Sequence, residues 1–311
     1  MAGRVFVSGA SGFVGSAVIE ELIRRGCAVN ALVNRRAPSA AGDVRSISGG
    51  LFDPAAVDAA MADCRAAIHL VGIIMEKPAA GITFEKIHAE GTQAIVDAAV
   101  RGGVQRYIHM SALGTGADAA GEYHKTKWKA EQYVRASSLQ WTILRPSLIH
   151  GPGGQFMELE AKWARKRAAP FLFMPYFGKG ALGLGGTGKL QPVYVGDVAR
   201  AFVDALENPA TIGKTYGLGG AEQITWPQMH KIAARAIVGK DRLTLPIPVW
   251  YAKMLTHLLP ASWLPFNRDQ VVMSQQDNTC QMGEFEGDFG WKPRGFAQSL
   301  AEYAGKLKRE A

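Results

Sequence analysis

The sequence predicts an α/β protein: a doubly wound parallel sheet followed by a smaller, mixed α/β region toward the C-terminus. Three observations lead there. Short apolar runs alternate with helical patterns up to about residue 150, the first run ends in a glycine-rich turn that opens a helix, and the alternation breaks at 151 and returns near 190. With 311 residues, 48% of them hydrophobic and 20% charged, the chain can build one large domain or two intimate ones. Its 36 glycines are scattered among apolar runs without a period, which excludes collagen-like and disordered classes.

The elements follow in order. Arg4 to Ser8 is a β-rich first strand, and Ser16 to Arg25 carries Val18, Ile19, Leu22 and Ile23 at helical spacing before a stop at Gly26. Ala28 to Val33, Val44 to Ser48, Ala66 to Val71 and Tyr107 to Met110 supply the next four strands. Trp141 to Leu144 is the sixth, closed by Arg145 and Pro146. The stretch 151–189 is expected to be a cap of loops around one basic helix, Glu158 to Arg167. Gln191 to Val195, helical Asp197 to Glu207 and Thr215 to Leu218 then return to the sheet. The domain organisation expected is therefore 1–150 plus about 190–220 for the sheet, with 151–189 and 221–311 forming a substrate or cap domain.

Composition narrows the partners. Lys and Arg number 35 against 27 Asp and Glu, a net charge of +8 that suits anionic ligands, nucleic acid or acidic lipid without choosing among them. Cys27, Cys64 and Cys280 are widely spaced with no CxxC pair, which argues against a disulfide framework or zinc site and for a reducing cytosol. The histidines at 69, 88, 109, 124, 150, 230 and 257 never form HExxH, and no metal is expected. The opening MAGRVFVSGASGFVG is too interrupted for a signal peptide or membrane span. The run Gly183 to Lys189 nearly spells a phosphate loop, but Leu190 stands where Ser or Thr would hold Mg²⁺, and it is set aside.

The turn Ser8-Gly9-Ala10-Ser11-Gly12-Phe13-Val14-Gly15 spaces its glycines by three between a strand and a helix. Glycine lets the backbone turn sharply and approach a pyrophosphate, while the helix N-terminus offers unpaired N–H groups. Gly9, Ser11, Gly12, Phe13, Val14 and Gly15 are therefore candidate cofactor-binding residues. Tyr123 and Lys127 stand four apart in a helical stretch, so both project from one face.

Together with Leu144-Arg145-Pro146-Ser147 and Gln191-Pro-Val-Tyr-Val-Gly-Asp-Val-Ala199, these features resemble the extended short-chain dehydrogenase/reductases over nearly the whole chain. Ile68 to Gly72, Glu90 to Gln93, His109 to Gly114 and Trp141 to Pro146 are similar to an atypical, epimerase/dehydratase-like branch. That branch includes the nucleotide-binding accessory subunit of respiratory complex I and its bacterial relatives. The resemblance implies a Rossmann sheet holding NAD(P), with Leu51, Leu70, Val71, Gly72, Met110, Tyr123, Lys127, Pro146 and Ser147 along the cofactor, and a C-terminal substrate domain. It also implies catalytic roles: Tyr123 as proton donor or acceptor, Lys127 on the nicotinamide ribose, and Ser111, with Thr115 as its substitute, orienting the substrate oxygen.

An acid about 20 residues past such a loop reads the 2′-hydroxyl of NAD, whereas Arg suits the 2′-phosphate of NADP. Here the segment is Leu32-Val33-Asn34-Arg35-Arg36 with no acid, so NADP(H) is expected to be preferred and NAD(H) to be the second choice. Where the family commonly has Gly-Asp-Leu after the third strand, this chain has Gly49-Gly50-Leu51, and Asp53 is expected to serve as a helix cap. A phenol working near neutrality must fall from about 10 toward 7, roughly 4 kcal/mol, which a lysine ammonium and an oxidised nicotinamide could together supply.

The function expected is hydride transfer at a carbonyl or alcohol carbon of a small molecule, with quinone- or isoprenoid-related substrates implied by the branch alone. The alternatives are a non-catalytic NADP(H)-binding assembly protein and a nucleotide-sugar epimerase or dehydratase. No nucleic-acid partner is expected, because basic residues are not interleaved with aromatics on a recognised module, and no oligomeric state is specified. Localisation is expected to be cytoplasmic, with weak peripheral contact to an anionic membrane as its one extension. Arg165-Lys166-Arg167 is expected to be a solvated helix end, with contact to an anionic substrate head or an acidic lipid as the alternative. The apolar Ile247 to Phe266, interrupted by Pro248, Pro260 and Pro265, is expected to cover the cleft or join the core, in preference to forming an interfacial patch.

Overall fold

Strands buried on both faces need helices on both faces, and the first unit of the chain is built that way. The computed structural model describes residues 3–34, 42–259, 264 and 266–310. In chain order the elements are β1 (Arg4–Ser8), α1 (Phe13–Arg24), β2 (Val29–Val33), β3 (Val44–Ser48), α2 (Pro54–Met61) and β4 (Cys64–His69). A π-helical turn, Glu85–Glu90, leads into α3 (Gly91–Arg101), β5 (Arg106–Met110), α4 (Glu122–Ala136) and β6 (Gln140–Pro146). Next are β7 (Ile149–His150), α5 (Gln155–Ala164), β8 (Met174–Gly178), β9 (Lys189–Leu190), β10 (Val193–Tyr194), α6 (Val195–Glu207) and β11 (Lys214–Leu218). The chain ends with β12 (Ile224–Thr225), α7 (Trp226–Val238), β13 (Thr244–Pro248), α8 (Val249–Leu258), α9 (Arg268–Met273), α10 (Gly283–Phe289) and α11 (Phe296–Glu310).

The chain divides into two compact units. Residues 1–146, 195–218 and 281–291 form the first. Its sheet has the order β11-β6-β5-β4-β1-β2-β3, and every pairing is parallel. The order reverses between β1 and β4, the switch point at which doubly wound sheets bind ligands beyond the strand C-termini. Side chains alternate across the sheet: Phe6, Ala67 and Tyr107 join Ala60, Met61, Ile95 and Val134 of α2, α3 and α4 in one core cluster. The next position along the same face holds Ser8, His69 and His109, in register across β1, β4 and β5. Segment 281–291, expected in the cap domain with the rest of 221–311, belongs instead to this unit, where Asp288 takes hydrogen bonds from Lys214 (2.6 Å) and Tyr216 (2.6 Å).

Residues 147–194, 219–280 and 292–311 form the second unit. Its core joins Met157 and Ala161 of α5, Met229 and Ile237 of α7, and Phe296 and Leu300 of α11. His230 pairs with the buried Glu160 at 2.9 Å.

Several expectations are corrected. The helix expected over Glu158 to Arg167 spans Gln155–Ala164, because Arg165 already leaves helical geometry and Lys166 has φ of 61°, so the basic triplet lies beyond the helix and Arg165 caps the carbonyl of Leu307. The strand expected from Gln191 shrinks to Val193–Tyr194 and pairs with β7, not the main sheet. Gln191 is held instead by Gly220 O (2.8 Å) and the N–H of Cys280 (2.9 Å). The segment from Ile247 is neither core nor buried cover where it is described: in α8 only Ala252 is buried, while Trp250, Tyr251, Met254 and Leu258 are exposed. Apolar composition does not separate the two readings, because a buried face and an interfacial one are alike in it.

Glu131 of α4 is fully buried and accepts two hydrogen bonds from Arg145 (2.7 and 2.6 Å) and one from Arg135 (3.1 Å), tying α4 to β6. Removing one partner strands the others' charge, so Glu131→Gln should cost about 2–3 kcal/mol. Urea unfolding will measure this, and a loss below about 0.5 kcal/mol would show the link to be dispensable.

Candidate dinucleotide and active site

Crowding fixes the glycine turn. Gly9 has φ of 75°, and a Cβ there would stand 3.2 Å from the Leu70 carbonyl carbon and the Val71 nitrogen. A Cβ on Gly15 would lie 2.0 Å from Gly9 O, which no side chain can meet. Gly12 is the N-cap of α1 and has no side-chain cap bond, while Ser11 and Gly12 are exposed and Phe13 is partly so. The first N–H groups of α1 thus face an open turn at the end of β1, as an anionic pyrophosphate requires. The turn fits a dinucleotide.

The edge that would read the adenosine is only partly described. Asn34 is exposed at the end of β2, and Arg35 and Arg36 lie outside the described residues. A Cβ on Gly49 would come 2.2 Å from Ala56 Cβ, so close packing of α2 calls for glycine there. Asp53 caps α2, accepting from the Ala56 N–H at 3.1 Å, and is occupied as expected. Leu51 is half-buried against Gly91 and, with Phe52, Val57, Ala94 and Arg101, lines a shallow hollow.

Tyr123, Lys127 and Ser111 come from the first two turns of α4 and the end of β5. Lys127 is buried, donates to Met110 O at 3.1 Å, and lies 3.0 Å from where a Cβ on Gly72 would stand. Burial lowers its pKa to about 8, and the carboxylate of Glu131 partly offsets the shift. The Tyr123 ring meets Phe84, His88 and His124 edge-on at 5.7, 5.2 and 5.1 Å. Burial raises its pKa to about 12, opposite to the fall expected of a base. Ser111 is buried, and its hydroxyl donates to Thr115 Oγ1 at 3.3 Å. The structure therefore brings Ser111 and Thr115 together, but no hydrogen bond links Ser111, Tyr123 and Lys127 to one another among the described residues. Pro146 ends β6 opposite Leu218 in the first unit. In the second unit, Ser147 donates its hydroxyl to Asn278 Oδ1 at 2.5 Å and is not a free group.

Sequence reasoning missed the support beneath these residues. Thr126 lies between Tyr123 and Lys127 and donates back to Glu122 O (2.9 Å) or Tyr123 O (3.0 Å), with its hydroxyl 3.0 Å from His88 Nδ1. His88 Nε2 lies 3.1 Å from both the N–H and the carbonyl oxygen of Ile73, accepting from the first or donating to the second according to its tautomer, so one imidazole ties α4 to the loop after β4. Its residue type alone carried no such signal, because His88 and its two partners lie on three separate segments.

His69 bonds Ser8 (2.6 Å) and Thr92 (3.2 Å), while both nitrogens of His109 are buried without a partner. Burial and the nearby Lys127 lower the pKa of His69 to about 3 and of His88 to about 2, and burial with His69 and Lys127 holds His109 well below 6.5. Below pH 6.5 the unfolded chain binds protons that the fold refuses. Stability is thus full above pH 6.5 and falls with pH by up to about 1.4 kcal/mol per unit for each histidine. Urea midpoints should drop steeply between about pH 7 and 5, and His109→Phe should flatten the slope. Equal midpoints at both pH values would contradict this.

A family model described as NAD(P)H-binding matches residues 9–161. The chain is 30% identical over 273 residues to NADH dehydrogenase [ubiquinone] 1 alpha subcomplex subunit 9, mitochondrial, of Arabidopsis thaliana, covering 84% of this chain and 64% of that protein. It therefore spans less than two thirds of that relative's length. It is 27% identical over 251 residues to the ceramide reductase of Caulobacter vibrioides, covering 79% of this chain and 74% of the relative. In fold it is similar to MoeE5 in complex with UDP-glucuronic acid and NAD, with a TM-score of 0.77, 20% identity and coverage of 99% of this chain and 100% of that one. The Thermus thermophilus UDP-glucose 4-epimerase complex with NAD gives a TM-score of 0.73 at 21% identity, covering 99% of this chain and 100% of that one. The chain thus has the NAD(P)-binding Rossmann fold of the epimerase/dehydratase-like short-chain dehydrogenase/reductases, and subunit 9 proteins of NADH dehydrogenase are among its homologues.

Proposed function

We propose that the chain is an NADP(H)-preferring oxidoreductase that works in the reductive direction on a carbonyl compound. The observation that carries this reading is the placement of Tyr123 and Lys127 four residues apart in the first two turns of α4, with Lys127 buried against Met110 O at the end of β5 and the Tyr123 phenol kept neutral by burial. A neutral phenol is a proton donor, and reduction of a carbonyl consumes one proton at oxygen. When bound, the reduced nicotinamide supplies the hydride. Tyr123 donates the proton to the carbonyl oxygen, Ser111 or Thr115 orients that oxygen, and Lys127 holds the ribose and stabilises the phenolate left behind. A pKa of about 12 weighs on both directions alike, because the phenolate left by reduction is the same species that oxidation needs, so Lys127 has the same charge to stabilise either way. The ceramide reductase among the relatives supports a reductive role.

A second reading is a dinucleotide holder without turnover. It is favoured by the Ser111 hydroxyl being directed at Thr115, and by the homologues that are subunits of a larger dehydrogenase. A screen of quinones, enones, ketones and lipid carbonyls for NADPH oxidation separates the two. Tyr123→Phe should leave NADPH affinity almost unchanged and lower turnover by about 10²–10⁴, whereas Lys127→Ala should harm both. A rate that survives Tyr123→Phe would refute the assigned role, and no hit in any class would favour the holder.

Cofactor preference rests on the exposed Asn34 and the absence of an acid in Leu32 to Arg36. NADPH should bind at least several-fold tighter than NADH, since an Arg bond to a charged phosphate contributes about 1.5–3 kcal/mol, and Arg35→Ala should remove most of the gap. Equal affinities in the parent chain would overturn the preference.

A further inference from the structure

We propose that the second unit docks on an anionic lipid surface through an apolar shelf formed by α8 and the loop between β8 and β9. At 100° per residue, Trp250, Met254, Leu258 and Tyr251 occupy one arc of about 100° on α8, and the buried Ala252 lies opposite that arc. The helix is inverted: its apolar side faces outward, with 56% of Trp250 and 70% of Leu258 exposed. Lys253 and His257, both exposed, flank one edge of the arc. A basic edge beside Trp, Tyr and aliphatic residues is the pattern of a helix lying in a membrane interface.

The neighbouring loop extends the shelf. Trp250 Nε1 donates to Ala181 O at 3.0 Å, and Gly183 fits so tightly that a Cβ would stand 2.8 Å from Pro246 Cβ. Held by these two contacts, the loop exposes Leu182 and Leu184, each 74% accessible. Six large apolar side chains thus share one stretch of surface. Among the described residues no helix is long and apolar enough to cross a membrane, so the contact is one of lying on the surface.

Charge identifies the occupant. The second unit has 17 Lys and Arg against 8 Asp and Glu, a net +9, whereas the first has 18 against 19, a net −1. The positive charge of the chain therefore resides wholly in the unit that bears the shelf. A second copy would set +9 against +9, and a nucleic acid would leave the aliphatic side chains unused. An anionic bilayer suits both the charge and the apolar arc, which add in such binding.

The test uses the full chain sedimented with vesicles of phosphatidylcholine alone, or with about a third phosphatidylglycerol, at about 0.05 and 0.5 M salt. Binding to the anionic vesicles should be at least about tenfold tighter than to neutral ones and should weaken, without vanishing, at high salt. Met254→Asp and the pair Leu182→Asp with Leu184→Asp should each lower vesicle affinity by about tenfold or more while NADPH affinity, which serves as the folding control, stays unchanged. No sedimentation with anionic vesicles would overturn the proposal. So would undiminished binding by both variants, a dimer that the same substitutions dissolve, or duplex DNA displacing the vesicles as well in the variants as in the parent.

Discussion

No atom can enter the space between Gly9 O and the backbone of Gly15, and the sheet unit is arranged around that exclusion. With a Cβ position 2.0 Å from Gly9 O, helix α1 can start only where glycine allows it to close on the end of β1. The same approach brings Gly9 against the backbone of Leu70 and Val71 after β4, so the two strands flanking the switch point are locked in register at their C-terminal ends. The N–H groups at the start of α1 are left uncapped beside it, since the N-cap is Gly12, which has no side chain to offer. Packing and anion recognition therefore both depend on the glycines of this one turn.

Below the turn the constraint is desolvation. Lys127 is buried with one hydrogen bond to Met110 O, and its positive charge is a cause of the depressed pKa values of His69, His88 and His109. The imidazoles answer by staying neutral, and His88 in that state bonds Thr126 and Ile73 at once. A protonated His88 would set a second cation beside Lys127. The neutrality of the histidines and the geometry of the Tyr123 helix are two sides of one electrostatic arrangement.

The first unit was legible because its signals are local. Most strands from Arg4 to Pro146 are short apolar runs bounded by turn residues, β3 being the polar exception, and the glycine spacing between β1 and α1 has a steric origin that the residue types state directly. Tyr123 and Lys127 were legible through helical spacing. What stayed hidden depends on partners distant in sequence: Asn278 occupying Ser147, His88 joining Thr126 to Ile73, and 281–291 packing with the sheet unit. The rise of the Tyr123 pKa was also hidden, because burial by Phe84, His88 and His124 is a tertiary property. The outward arc of α8 stayed hidden for another reason: apolar composition says that a segment avoids water but not whether protein or another phase lies against it.

The uneven charge bears on how a pI near 9.4 should be understood. A protein that binds a dinucleotide and has a surplus of lysine and arginine invites the conclusion that the surplus serves the phosphates. The unit that carries the glycine turn has a net charge of −1, so it attracts a pyrophosphate with backbone N–H groups and a helix end, aimed at short range, and not with a general field. A general field works differently, acting over about a Debye length and favouring an extended anionic partner over a small one. The surplus of +9 lies in the other unit, and its charge and its exposed apolar arc on α8 are the two independent features on which the proposed lipid docking rests.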